Sequence, residues 1–400
     1  MKLRSPEAFW LLKNGILNSY PKLQENTTCD IVVLGAGITG ALISHALHNA
    51  GYNVVVIDKR DVANGSTAAT TSMLQYEIDV PMVDLADMIG IPGAVECYRA
   101  GIESIDALHE IVKKEEIDCG FDMKESLKVA HSKKAVKALR KEFEMREQHG
   151  FEVKWLTSHD IEKRYKMKSH AGILSSKGAS IDAFQFAHGL FYNNYKRGMQ
   201  VFDHTTVDDI KYDEGGVQLK TDDGYTVDAK KIVFCTGFET MQMFKKKYSD
   251  IVTTFACVSE QNLNLFDTLD NTLIWDTANP YTYMRTTHDK RLLVGGEDIN
   301  YKYGPISEKV KNRKSAKLIK KLNKLFPEIN FIEDYVWPGA FGVTKDGLPF
   351  IGTHPDFKNA IFVLGLGGNG ITFSVQGMDL VLKILAGYTD NLLHYYRFDR

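Results

Sequence analysis

The sequence predicts an α/β protein in which a parallel-sheet unit is interleaved with a second unit built on a large mixed or antiparallel sheet. Three observations carry this reading: a strand, glycine turn and helix at 30–58, a second continuous apolar strand at 232–237, and a strand running into a Gly-rich turn and helix at 360–387. Between the last two, residues 248–298 alternate polar and apolar side chains as a half-buried strand does. Strands of one parallel sheet thus come from distant segments, and 400 residues exceed one comfortable core. The expected division is an arm at 1–28, a first unit from 29–80, 170–240 and 338–400, and a second from 81–169 and 241–337.

The first of these segments reads DIVVLGAGITGALISHALHNAGYNVVVID. Ile31 to Leu34 suit a buried parallel strand, and Gly35, Gly37 and Gly40 give the G-x-G-x-x-G spacing at the mouth of a helix. Gly35 permits the turn, Gly37 lets the backbone approach a pyrophosphate, and Gly40 lets helix and strand pack closely, while amides at the helix start face the anion. Ala36, Ile38 and Thr39 complete that turn. A second apolar strand ends at Asp58, about 20 residues on, where a carboxylate accepts the hydroxyls of an adenosine ribose. Glycines also serve ordinary turns, so the weight lies on the whole strand, turn, helix, strand and acid. The unit is Rossmann-like and binds a dinucleotide; the motif does not distinguish NAD from FAD.

Composition excludes several classes. A net charge of -2 gives no general attraction to nucleic acid or to an anionic membrane surface. No apolar run approaches a membrane span, and Glu7 and Lys13 interrupt the apolar start, so no span or secretory leader is expected. Five scattered cysteines without a C-x-x-C pair suit reduced thiols, which makes the cytoplasm the expected location. No metal site is expected.

In chain order, Phe9, Trp10, Tyr20 and Pro21 mark the opening segment as an arm lying on the body of the protein. After Asp58, a stretch of small residues containing Gly65, Ser66, Thr67, Thr71 and Ser72 lets the backbone come near an extended ligand. Helices are expected at 96–114, at 133–149 with its charges on a solvated face, and at 184–197; Thr157 with Asp160 forms a capping box between them. Strands follow: VFDHTTVDDI, a VQLKT–YTVDA hairpin, and IVFCTG as a separate central strand. A hairpin around Asp289, a basic helix at 311–326 and a last helix closed by Gly387 complete the reading.

Together these motifs resemble the FAD-dependent D-amino-acid oxidase superfamily, which includes glycine oxidase, sarcosine oxidase and γ-glutamylputrescine oxidase. The resemblance runs through DIVVLGAGITG with Asp58, the GST loop, IVFCTG, VTKDGLPFIGTHP and the terminal GLGGNGIT, in family order. It implies that FAD is the cofactor, held without a covalent link, because Gly339 stands near where sarcosine oxidase has its tethering cysteine. Asp58, with Lys59 and Arg60, would meet the adenosine, Val207 would lie by the adenine, and Thr236 and Gly237 beside the cofactor. Gly368, Asn369, Gly370, Ile371 and Thr372 would reach the pyrimidine edge of the flavin, where amides at a helix start favour negative charge.

The resemblance further implies oxidation of a C–N bond in a small-molecule amine or amino acid, by hydride transfer to flavin N5, with O2 or another electron acceptor as oxidant. The imine product then hydrolyses. No acid–base pair is required, and none is nominated from the 12 histidines. Substrate candidates are Tyr281, Tyr283 and Arg285, which alternate onto one strand face, together with Gln75, Thr372 and Phe341. An arginine there would hold a carboxylate. Glycine oxidase clamps its substrate carboxylate with two arginines, and those positions align with Phe341 and Gly368 here. Two other readings stay open at this point: a flavin-binding subunit or sensor without turnover, and an NAD-dependent dehydrogenase.

Overall fold

The computed structural model describes residues 4–5, 8–262, 267–301, 304–364 and 367–400. Parts of the arm, of the alternating 248–298 stretch and of the terminal motif, Gly365 and Leu366 among them, lie outside the described residues.

Among the described residues, eight strands form the first sheet, in the order Phe350–His354, Phe357–Leu364, Thr226–Phe234, Thr27–Leu34, Val54–Ile57 and Gln200–Phe202. The Val207–Tyr212 and Val217–Thr221 strands extend it from Thr226–Phe234. Its centre is parallel, with Val32 opposite Val55 and Ile232, and Ile232 opposite Ala360. The apolar runs are continuous because both faces are covered. Ile31, Val33 and Val233 enter one core, whereas Val32, Ile232 and Phe234 enter another.

Two strand assignments change. YTVDA and IVFCTG form one strand, Thr226–Phe234, which pairs antiparallel with Val217–Thr221 and parallel with Thr27–Leu34. VFDHTTVDDI is two strands, because Asp203 and Thr205 in its middle hold the arm instead: their side chains accept the Tyr20 and Leu23 amides at 3.0 and 3.1 Å. The arm itself is seated as expected, with Phe9 and Trp10 buried and Phe9 stacked on Trp337.

The second sheet runs Glu333–Val343, Asp250–Ser259, Leu292–Asn300, Tyr283–Thr286, Thr272–Asp276, Asp122–Val129, Ala171–Ser180 and Met73–Gln75, with Val153–Thr157 paired to Ala171–Ser180. It is mixed: Thr272–Asp276 is parallel to Asp122–Val129 and the other pairs are antiparallel. Segments 29–80 and 170–240 therefore each contribute one strand, Met73–Gln75 and Ala171–Ser180, to the second sheet, which fastens the two sheets together.

The Thr157–Asp160 capping box forms, and the hairpin around Asp289 pairs Met284 with Val294. The helix expected at 96–114 starts earlier, at Ile91, with Pro92 in its first turn, where a missing N–H costs nothing. The helix Val136–Gln148 departs further from expectation. Its Glu142 and Arg146 are buried, and Arg146 pairs with Glu142 at 2.6 Å and Glu77 at 3.4 Å while its guanidinium packs on the rings of Tyr76 and Tyr98. Charge in this helix marks a buried network as well as a solvated face.

Candidate active site

The glycine turn has the shape that its residues require. Gly35 has φ of +107°, and a Cβ there would lie 2.6 Å from the Cys235 carbonyl oxygen. At Gly40 a Cβ would lie 1.8 Å from the Gly35 carbonyl oxygen, so the helix Ile38–Asn49 seats against the turn only without a side chain. Asp58 closes the unit, its carboxylate accepting the Ala36 amide at 2.7 Å and the Arg60 amide at 2.9 Å. Burial pushes that carboxyl above the usual aspartate range, with the two amides pulling the other way. Thr67 reaches across, its hydroxyl accepting the Ile38 amide at 2.9 Å.

The loop of small residues is pinned carbonyl by carbonyl. The Ala69 oxygen accepts from Trp337 Nε1 at 2.9 Å, that of Thr70 from Trp10 Nε1 at 2.6 Å, and that of Thr71 from Arg285 Nε at 2.6 Å. Arg285 also donates to the carbonyls of Ile181 and Thr286, each at 3.1 Å. It is 2% exposed and does not line the cavity described below. This placement runs against the expectation that Arg285 holds a substrate carboxylate: three of its N–H groups bond backbone oxygens and its side chain stands off the cavity. The arm's Trp10 acts on the same loop, which gives the arm a role at the site.

A cavity of about 830 Å³ runs from the glycine turn to the face of the second sheet. Every residue of the expected cofactor set lines it except Ala36, Gly40, Asn369 and Thr372. Ala36 and Gly40 shape the turn from behind. Asn369 is buried and donates to the carbonyls of Gln75 and Glu77 at 2.9 Å each, fastening the terminal turn to the Met73–Gln75 strand. Thr372, expected at both flavin and substrate, is 2% exposed and bonds the Asn369 carbonyl at 2.9 Å. Gly368 lines the cavity, but its amide donates to Asp79 at 2.8 Å; Gly370 and Ile371, at the start of the Gly370–Ala386 helix, line it as well.

At the opposite end lie Val207, Lys59 and Arg60, with Glu239 bonded to Lys59 at 3.0 Å and Arg60 at 2.9 Å. Beside it, Asp61, Asp203 and His204 come together, but His204 bonds Asp61 and Asp203 holds the arm, so the group is accounted for structurally.

Of the other substrate candidates, Gln75, Tyr281, Tyr283 and Phe341 line the inner end. Gln75 donates to Ser126 at 3.1 Å, and Tyr281 donates to Asp79 at 3.0 Å. Burial raises the phenol pKa of both tyrosines, so they remain neutral. Two further residues at this end were missed in the sequence, Thr254 and Asp298. The Asp298 carboxyl is raised by burial and by nearby Asp79, against a hydrogen bond from Thr254. A slip in strand pairing turns it inward: Phe255 faces Gly296, but Thr253 faces Ile299. Glu297, at φ +60°, takes the outward place and meets Lys314, Lys317 and Lys321 at 3.3, 3.6 and 2.8 Å.

These residues fit FAD. The turn leaves room for a pyrophosphate where a Cβ on Gly37 would touch only the Thr67 hydroxyl, at 3.2 Å. The Asp58 carboxylate lines the cavity, where it could accept ribose hydroxyls, and Gly339 adds no side chain to the wall it shares with the pinned loop. The family model for FAD-dependent oxidoreductases of the DAO type matches residues 30–380. The chain is 26% identical over 395 residues to the γ-glutamylputrescine oxidoreductase of Escherichia coli, covering 94% of this chain and 89% of that one. It is also 26% identical over 377 residues to a glycine oxidase of Bacillus licheniformis, covering 90% and 93%. The crystal structure of glycine oxidase from Geobacillus kaustophilus superposes with a TM-score of 0.77 at 21% identity, over 91% of this chain and 96% of that one, and shares the fold. The chain is a member of the DAO family of FAD-dependent oxidoreductases.

Proposed function

We propose that the protein oxidises the C–N bond of an amine that carries no carboxylate beside the reacting carbon. The observation that supports this is the charge of the inner end. Among the described residues the cations lining the cavity are Lys59 and Arg60, both at the adenosine end and both bonded to Glu239. Arg285 is turned away, and Phe341 and Gly368 stand where a carboxylate clamp would be required.

FAD, when bound, supplies the two-electron acceptor that takes hydride from the substrate carbon. The chain's own part is to place that carbon and keep water away. Phe341 and the Tyr281 and Tyr283 rings, 5.6 Å apart, wall the inner end, and Trp10, Trp337 and Arg285 hold the intervening loop rigid from behind. A rigid wall converts binding into orientation. As hydride leaves carbon, the nitrogen lone pair forms C=N, and water then releases a carbonyl compound and the free amine or ammonia. The five cysteines are free and buried, and no helix among the described residues is long and apolar enough to cross a membrane; both fit a cytoplasmic location.

The test is anaerobic bleaching of the flavin by glycine, D-alanine, sarcosine and a series of longer primary and N-substituted amines. A buried carboxylate without a charged partner costs about 3–5 kcal/mol, so glycine and D-alanine should bind roughly 150- to 5,000-fold more weakly than the best amine. Fastest reduction by glycine or D-alanine at low concentration would overturn the proposal. A yellow protein bleached by no amine would point instead to a flavin-binding subunit without turnover.

A further inference from the structure

The strand Leu292–Asn300 carries two adjacent acids with opposite fates. Glu297 faces the helix Glu308–Leu325, where three lysines hold it and Lys314 also donates to its carbonyl at 2.7 Å. Asp298 faces the cavity beside Tyr283 and Thr254, and the Thr254 hydroxyl donates to the Gly296 carbonyl at 3.4 Å on the same strand. Among the described residues no cation forms an ion pair with it. Asp79, the other acid nearby, is already engaged by the Tyr281 hydroxyl and the Gly368 amide. Lys314, behind the strand, favours the ionised form of Asp298 from a distance, but among the described residues no cation pairs with it directly. A half-buried carboxylate at an aromatic-lined cavity with no such partner is a receptor for a cation from outside: the carboxylate supplies charge and the rings supply further attraction.

We propose that Asp298 recognises a second, positively charged group on the substrate. The preferred substrate is then a diamine or polyamine: one nitrogen is neutral at the reacting carbon and another is held as an ammonium by Asp298 beside Tyr281 and Tyr283. This rests on the amine-oxidising reading above and adds the substrate class. Thr254, whose hydroxyl donates to the Gly296 carbonyl at 3.4 Å, is a positioning residue that ties the slipped strand to its neighbour and favours the ionised form of Asp298. The strand slip is what makes the site, since regular pairing would present Glu297 to the cavity and Asp298 to the lysines.

The test uses FAD-loaded protein in two arms. In the first, butyltrimethylammonium, which has no nitrogen lone pair to drive oxidation, and hexanoate are titrated against the flavin absorbance. The cation should bind at least about tenfold more tightly, and Asp298→Asn should weaken the cation about 10–100-fold while leaving hexanoate unweakened. Asp298→Glu, which keeps the charge, should recover part of the loss. In the second arm, a four-carbon α,ω-diamine should reduce the flavin at lower concentration than the matching monoamine, and Asp298→Asn should bring the ratio of the two concentrations close to one. If the first arm succeeds and no amine bleaches the flavin, the oxidation reading fails and cation recognition stands. If amines bleach the flavin but diamine and monoamine behave alike, or Asp298→Asn binds the cation as wild type does, the present proposal is overturned.

Discussion

Asp58 is the residue on which cofactor affinity should depend most directly, and the structure separates two contributions to it. The carboxylate accepts the Ala36 and Arg60 amides and lines the cavity, where a ribose would add its hydroxyls. Loss of charge-assisted bonds to the ribose should cost about 1.5–3 kcal/mol, a rise in Kd for FAD of roughly 10- to 150-fold. Asp58→Ala also strands the Ala36 N–H, which is 1% exposed, and an unpaired buried amide costs folding about 1–3 kcal/mol. Asp58→Asn keeps one acceptor oxygen. The two variants should therefore weaken FAD comparably, while the cofactor-free protein loses more stability with Ala than with Asn. Fluorescence titration of FAD into cofactor-free protein measures the first effect and urea denaturation the second. Because burial holds this carboxyl above the usual aspartate range and the ribose bonds need its ionised form, wild-type affinity should fall as acid approaches that raised value. Asp58→Ala should lack this dependence. An Asp58→Ala protein that bound FAD as tightly as wild type would refute the assignment.

The cofactor should leave the protein on acid precipitation, with all yellow colour in the supernatant; Gly339 offers no tether, and Cys235, a cysteine that lines the cavity, sits beneath Gly35 at the glycine turn. Colour retained in the pellet would contradict this. Arg285→Met should lower stability by about 2–5 kcal/mol by leaving buried carbonyls without donors, yet leave the ratio of amine to amino-acid rates unchanged. A selective loss of amino-acid turnover would restore Arg285 to the substrate. Lys128 is buried against the Trp275 ring, 4.1 Å away, and burial lowers its pKa from 10.5 to about 8. A lysine pKa lowered by folding costs stability in full below pH 8, and the cost fades as the unfolded chain also loses its proton towards pH 10.5. Lys128→Met should then be more stable at pH 7 by on the order of 3 kcal/mol, with the difference shrinking by pH 10; a difference that does not vary with pH would exclude the mechanism.

The first sheet was legible because its signals are local. Three glycines, two of them, Gly35 and Gly40, kept free of a side chain by backbone oxygens, stand between apolar runs buried on both faces. What escaped depended on tertiary partners. Nothing in KEFEMREQ indicates that Glu142 and Arg146 are buried, since their complement, Glu77, lies 65 residues or more away in sequence. The break in VFDHTTVDDI was hidden likewise, because Asp203 and Thr205 serve an arm from the start of the chain.

The errors at the inner end have one physical source: a period-two argument names a face but not what covers it, and it fails beyond any inserted residue. Tyr281, Tyr283 and Arg285 were placed on one face by alternation. The tyrosines reach the cavity, but Arg285 meets the carbonyls of the pinned loop before it reaches open space. Asp298 was missed for the complementary reason. Counting by twos from Leu293 presents Glu297 to the cavity side, and only the slip between Gly296 and Ile299 reverses the pair. A signal was nonetheless present in LLVGGED, since glycine inside a strand marks either a close approach or a bulge. Here it marks both. A Cβ on Gly295 would lie 2.3 Å from the Tyr283 ring, and Gly296, at φ +134°, opens the slip. With strand parity lost at the paired glycines, Asp298 and not Glu297 turns inward, and the charge at the inner end is negative where Arg285 was expected to make it positive.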